Sequence, residues 1–141
     1  MTLINTRPNF VERIRLHQLV TGSDDALVEY QKILAGGVGL VVDTVTRIDA
    51  ARRRVTLASC GSLASDYLIY AVGSGSAVPK VPGAAEHAYR ISTLEQAERL
   101  RPVIDAALTS AAITVVGAGP TGLETASELA EQGRTWPPAA G

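Results

Sequence analysis

Three glycines stand at the spacing with which a backbone can close around a phosphate: Gly117-Ala118-Gly119-Pro120-Thr121-Gly122. Such a turn holds the pyrophosphate of a dinucleotide. Its first glycine permits a tight exit from a strand. The second leaves out the Cβ that would block phosphate oxygens, and the third lets the next helix pack close to a sheet. The helix then offers unpaired N–H groups and a partial positive charge to the anion. Taken alone the pattern also describes an incidental glycine-rich loop, so its flanks decide.

Before it, Ile113-Thr114-Val115-Val116 is a short apolar run, predicted to be a parallel strand buried on both faces. After it, Leu123, Ala126, Ser127 and Ala130 recur at helical spacing and predict a small-residue packing face. Glu124, Glu128, Glu131 and Gln132 lie mostly off that face, and Gly133 is a suitable terminator.

The elements upstream alternate in character. Thr2 to Asn5 reads as a short strand, residues 10–20 as a helix, and residues 23–34 as a second helix capped by Ser23-Asp24-Asp25 and broken by Gly36-Gly37. Residues 38–72 read as a β-meander, with turns at Asp49-Ala50-Ala51-Arg52 and Cys60-Gly61-Ser62. Its last strand is Tyr67-Leu68-Ile69-Tyr70-Ala71-Val72, and Pro79-Lys80-Val81-Pro82-Gly83 is an extended connector. Ser92-Thr93-Leu94-Glu95 is a capping box opening a helix through about Leu108, which Pro102 should kink or divide near Arg101.

Bulk properties narrow the function. The chain has 141 residues, 46% hydrophobic and 19% charged, which suits about one globular domain. A net charge of −1 and 4% aromatic residues give no footprint for nucleic acid. No apolar run reaches the ~18–20 residues of a membrane span, and the first residues do not form a signal peptide; a cytoplasmic setting is expected. Cys60 is the one cysteine, so no disulfide or paired redox cysteines can form within the chain. No His/Cys/Asp cluster has metal-ligand spacing, and no metal is expected.

Two segments in order carry a resemblance. Asp66-Tyr67-Leu68-Ile69-Tyr70-Ala71-Val72-Gly73-Ser74, then Val116-Gly117-Ala118-Gly119-Pro120-Thr121-Gly122-Leu123-Glu124, resemble the FAD-dependent pyridine nucleotide-disulfide oxidoreductase superfamily, in its type II NADH dehydrogenase and apoptosis-inducing-factor-like branch. The first is similar to the D-x-L-x-x-A-T-G strand end lying against FAD, with Val72 in place of threonine. The resemblance implies an α/β architecture: a partial doubly wound Rossmann-type fold with a β-meander, lacking the first strand–turn–helix. It implies a partial FAD-binding domain over 1–78, a linker over 79–91 and the start of an NAD(P)H-binding domain over 92–134. The tail 135–141 lies outside the resemblance.

By the same resemblance, Ala71, Gly73 and Ser74 would lie near flavin, Asn5 would stand where an acid often holds the adenosine ribose, and Val45 would contact adenine. Arg15 or His17 would touch FAD phosphates or ring. Gly117, Gly119, Pro120, Thr121 and Gly122 would take the NAD(P)H pyrophosphate, and Glu124 would approach the nicotinamide as the catalytic acid. Simpler roles stand beside these. Arg15 and His17 suit a solvated helix face, Val45 a strand core, and Glu124 the favourable end of a helix dipole.

The implied activity is hydride transfer from NAD(P)H to flavin and then to an electron acceptor. No glycine turn precedes Asn5, and no ribose-reading strand follows Arg134, where Trp136-Pro137-Pro138 comes instead. The chain is therefore expected to be an internal fragment truncated at both ends and inactive by itself. The alternatives are a non-catalytic remnant or weak nucleotide-binding module, and complementation by another chain. For the parent family, peripheral membrane association is compatible with this reading.

Overall fold

The structure, a computed structural model, describes residues 1–73, 80–107 and 111–132. Ser74, Leu108, Gly133 and the 135–141 tail lie outside them. The chain forms two compact units. The first comprises Met1–Phe10 and Leu27–Gly75, the second Val11–Ala26 and Ser76–Gly141.

In the first unit, β1 (Thr2–Asn5) pairs in parallel with β4 (Gly39–Val42), Ile4 opposite Val41 and Asn5 opposite Val42. β2 (Asn9–Val11) joins β3 (Leu27–Glu29) in a two-stranded sheet. The meander is β5 (Val45–Asp49), β6 (Arg54–Leu57) and β7 (Ser62–Ala64), all antiparallel. β6 alternates, burying Val55 and Leu57 and exposing Arg54 and Thr56, as a sheet with one wet face requires. The predicted turn closes β5 on β6: the Asp49 carboxylate accepts from the Arg52 guanidinium and from the Arg52 backbone N–H, and these two, the guanidinium first, hold its pKa below the usual carboxylate range.

Two predicted strands form no ladder. Residues 67–72 and 113–116 are extended without a strand partner among the described residues; Tyr67 is 92% and Val116 91% exposed. A parallel strand buried on both faces needs a hydrogen-bonded neighbour and covering helices. Neither segment meets them among the described residues.

The predicted 23–34 helix is also replaced. α1 (Leu16–Thr21) ends at left-handed Gly22, and the Asp24 carboxylate accepts the Ala26 backbone N–H. Ala26 sits at φ 56°, which a helix cannot accommodate. The cap residues thus make an Asx turn instead of opening a helix. β3 follows, and only α2 (Tyr30–Ile33) is helical.

The second unit is helical. α1 follows a 3-10 turn at Arg13–Arg15 and packs against α4 (Leu94–Ala106) and α5 (Pro120–Glu131); α3 (Ala84–His87) is a single turn. Leu16, Leu19 and Val20 of α1 are buried, as are Leu94, Ala97, Leu100 and Ile104 of α4 and Leu129 of α5. The α4 residues fall at i, i+3, i+6 and i+10, one apolar stripe. α4 runs through Pro102 undivided, at the cost of the backbone donor that the Glu98 carbonyl would otherwise meet.

The capping box is displaced by one residue from the expected Ser92–Glu95 pair. Thr93 is the N-cap: its Oγ1 accepts the Gln96 backbone N–H at 3.4 Å, while Gln96 Oε1 accepts the Ser92 backbone N–H at 3.1 Å. Thr93→Ala is expected to lower stability by about 0.5–2 kcal/mol in urea unfolding, and Ser92→Ala by only a few tenths (about 0.2–0.4 kcal/mol). Equal losses would contradict this assignment of the cap.

Candidate functional site

The glycine turn ends where α5 begins. Gly119 is its N-cap and Pro120 its first helical residue, where proline's missing N–H costs nothing. Gly117 has φ +125°, a conformation that side chains rarely adopt. A Cβ at Gly122 would stand 2.0 Å from the Gly117 carbonyl oxygen. The third glycine therefore serves a contact within the turn, where the sequence suggested a contact with a sheet. Around Gly119 no atom of the described residues lies within 4 Å of a would-be Cβ, so among them the approach to the helix N-terminus is open. An anionic pyrophosphate fits this arrangement: an uncovered backbone surface before a 12-residue helix with free first-turn N–H groups.

The buried face of α5 differs from the one expected. Leu123 is exposed, and Thr125 and Leu129 are buried against neighbouring helices. Beside that face, one turn apart, stand Glu124 and Glu128. His17 on α1 lies between them, only 7% exposed. Its Nδ1 is 3.4 Å from Glu124 Oε2 and its Nε2 is 3.5 Å from Glu128 Oε1.

Glu128 is the better held. Its Oε2 accepts hydrogen bonds from Thr21 Oγ1 and Ser23 Oγ, each at 2.6 Å. The Ser23 and Thr21 hydrogen bonds lead, with the charge on His17 and the Gln18 amide adding less; together they outweigh burial and hold the Glu128 carboxyl below its ordinary range. Gln132 Nε2 donates to the Thr21 carbonyl, a further tie between α5 and α1. Motif and spacing mark His17 and Glu124 as site residues but not Thr21, Ser23, Gln18, Glu128 or Gln132. The signal available was the i, i+4 spacing of Glu124 and Glu128, which puts both carboxylates on one side of a helix.

The remaining residues stand apart from this cluster. Arg15 is half-exposed and pairs with Glu12 at 3.6 Å and Asp24 at 3.5 Å. In the first unit, Asn5 Nδ2 donates to the Arg7 carbonyl at 3.0 Å at the end of β1. Val45 opposes Leu57 beside a bulge, and Ala71 and Gly73 are exposed in a segment outside the sheets. An open cleft of about 680 Å³ runs beside β4, lined by Pro8, Tyr30, Leu34, Val38, Leu40 and Val42. It lies near the parallel pair, where α/β folds place ligands, but none of the expected FAD contacts lines it.

Glu128 makes the α1–α5 junction acid-sensitive in a defined direction. Folding lowers its pKa, so its stabilisation is whole above the ordinary glutamate range and is lost as pH falls through the lowered value. Glu128→Gln is expected to cost about 1–2 kcal/mol at about pH 7, with the gap to the parent chain closing toward about pH 3 in urea melts. A gap that persists at the acidic end would contradict an ionised Glu128 as the tie.

Comparison with known proteins places this geometry. A family profile described as pyridine nucleotide-disulphide oxidoreductase matches residues 1–136. An NADH dehydrogenase-like protein of Mycobacterium tuberculosis is 46% identical over 99 residues, covering 66% of this chain and 25% of that protein. Demethylphylloquinone reductase of Synechocystis is 28% identical over 144 residues, covering 94% of this chain and 36% of its own length. The sulfide:quinone oxidoreductase structure from Aquifex aeolicus shares the fold with a TM-score of 0.70 at 24% identity, over 94% of this chain and 34% of that one. NDH2 from Plasmodium falciparum in complex with NADH gives 0.69 at 21%, over 92% and 31%. The chain spans about a quarter of the M. tuberculosis relative and about a third of the others. Its mixed α/β fold is a partial Rossmann-type fold, and the chain belongs to the pyridine nucleotide-disulphide oxidoreductase family.

Proposed function

We propose that this chain is part of an FAD-dependent NAD(P)H oxidoreductase and that the α5 N-terminus takes the pyrophosphate of NAD(P)H. The observation that carries this reading is the glycine turn: open at Gly119, closed on itself at Gly122 and set directly before a 12-residue helix. Thr121 and Gly122 supply backbone N–H donors in the first turn. Glu124, one turn further along and half-exposed, is the residue to approach the nicotinamide. When bound, the cofactors supply hydride transfer from NAD(P)H to flavin; the protein binds and orients them. For FAD, the proposed contacts are Asn5, Val45, Ala71, Gly73 and Ser74 by family position, with Arg15 in the 3-10 turn and His17 on α1. The proposed domain boundaries remain 1–78 for the flavin part and 92–134 for the nucleotide part. The electron acceptor belongs to the whole enzyme; the quinone named for two of the relatives is the first to assay.

A second reading is a module that binds nucleotide without reducing flavin. The observation favouring it is the 67–73 segment, which would carry the flavin contacts and has no ladder partner among the described residues.

Gly119→Ala tests the shared core of both readings. Its φ of −77° suits alanine and none of the described residues crowds the new Cβ, so the variant is expected to fold as the parent does. The methyl group obstructs phosphate approach, and NADH affinity, read by quenching of NADH fluorescence, should fall at least about ten-fold. Unchanged affinity would overturn the pyrophosphate assignment. Purified chain showing flavin's visible absorbance favours the oxidoreductase reading; colourless chain that still quenches NADH favours the module.

A further inference from the structure

We propose that His17 is a positioning residue whose positive charge, held between Glu124 and Glu128, draws Glu124 toward α1 and lowers the negative charge beside the α5 N-terminus. This rests on the reading that the glycine turn takes the NAD(P)H pyrophosphate.

Neutral imidazole has one N–H and one lone pair, whereas imidazolium has two N–H groups. Carboxylate oxygens stand on both sides of His17, at 3.4 Å from Nδ1 and 3.5 Å from Nε2. A neutral ring donating toward Glu128 turns its Nδ1 lone pair to the Glu124 carboxylate. Only the cation faces both carboxylates with donors. Nδ1 is buried and has no hydrogen bond among the described residues, so the Glu124 carboxylate at 3.4 Å is the charge placed to compensate it.

The two carboxylates are not equivalent. Glu128 is fixed by Thr21 and Ser23, so it orients the ring. Glu124 has a side chain 50% exposed and no comparable clamp, so it is free to leave when the ring loses its proton. On the elements packed against α1, Glu95, Glu98 and Arg99 of α4 and Glu131 of α5 are exposed, and the cations nearest α1 are engaged elsewhere. Arg15 pairs with Glu12 and Asp24, Arg13 donates to the Ser92 carbonyl, and Arg101, beside Gly22 at the far end of α1, stands 3.9 Å from Asp105.

The consequence is electrostatic. With His17 charged, the three groups sum to one negative charge; with it neutral, to two. The second negative charge falls on Glu124, near the helix end that receives an anion. NADH affinity should therefore be weaker beside the neutral ring than beside the charged one.

The test measures NADH fluorescence quenching by the full chain from about pH 5.5 to about pH 8, for the parent, His17→Gln and Glu124→Gln. The parent should lose about three- to ten-fold in affinity over that range, the size expected of one unit charge at a partly solvated site. Both variants should show flat profiles, Glu124→Gln without the loss. Glu124 is half-exposed, so this variant is expected to fold even if His17→Gln does not. A ligand-free double-mutant cycle on the same chains, read by thermal melting, should be non-additive near pH 6 and additive near pH 8.5. Additivity at both pH values, or a flat parent profile, would overturn the proposal. A coupled cycle with no NADH quenching at any pH would instead overturn the pyrophosphate reading, and with it the role of His17 at that site.

Discussion

One carboxylate ties the second unit together. Glu128 accepts two short hydrogen bonds from Thr21 and Ser23 and faces the His17 ring, so a single α5 side chain engages the middle of α1 and the turn beyond it. Apolar contact alone would leave α5 weakly specified. Leu129 and Thr125 are its buried residues, and helix faces with so few anchors can slide or rotate. Hydrogen bonds of fixed geometry remove that freedom, at a position where charge makes each bond stronger. The glycine turn sits at the start of the helix so held, and its orientation follows from the junction.

The turn itself was legible because its demands are local. A positive φ at Gly117 and the closeness of Gly122 to the Gly117 carbonyl are satisfied only by glycine, and spacing alone exposes them. What spacing could not disclose is which neighbour each glycine serves. The packing face of α5 failed for a related reason. Periodicity marks Leu123, Ala126 and Ala130 as one stripe, yet α1 covers the adjoining stripe, because the polar partners of Glu128 lie there. A pattern of apolar residues does not register a buried carboxylate with hydroxyl donors supplied from 105 and 107 residues away.

The β elements divide in the same way. The meander was readable from alternation and turn residues, since Val55 and Leu57 point inward and Asp49 caps its own hairpin. Tyr67-Leu68-Ile69-Tyr70 and Ile113-Thr114-Val115-Val116 have equally strong strand composition and form no ladder. Strand propensity describes fitness for a pleated, half-buried surface, and the surface must come from elsewhere in the molecule. The short β3 in place of a second helix shows the converse. Ser23-Asp24-Asp25 are good cap residues, but Asp24 used its carboxylate on the Ala26 N–H and turned the chain away from helix.

The account's central claim is that the backbone N–H groups at the start of α5 receive a dinucleotide pyrophosphate. The most direct measurement follows amide resonances of isotopically labelled chain as NADH is added. The account predicts that the largest saturable shifts fall on Gly119, Thr121, Gly122 and Leu123, while the β5–β6 hairpin stays fixed. Saturable shifts confined to other residues, with these four unmoved, would contradict it.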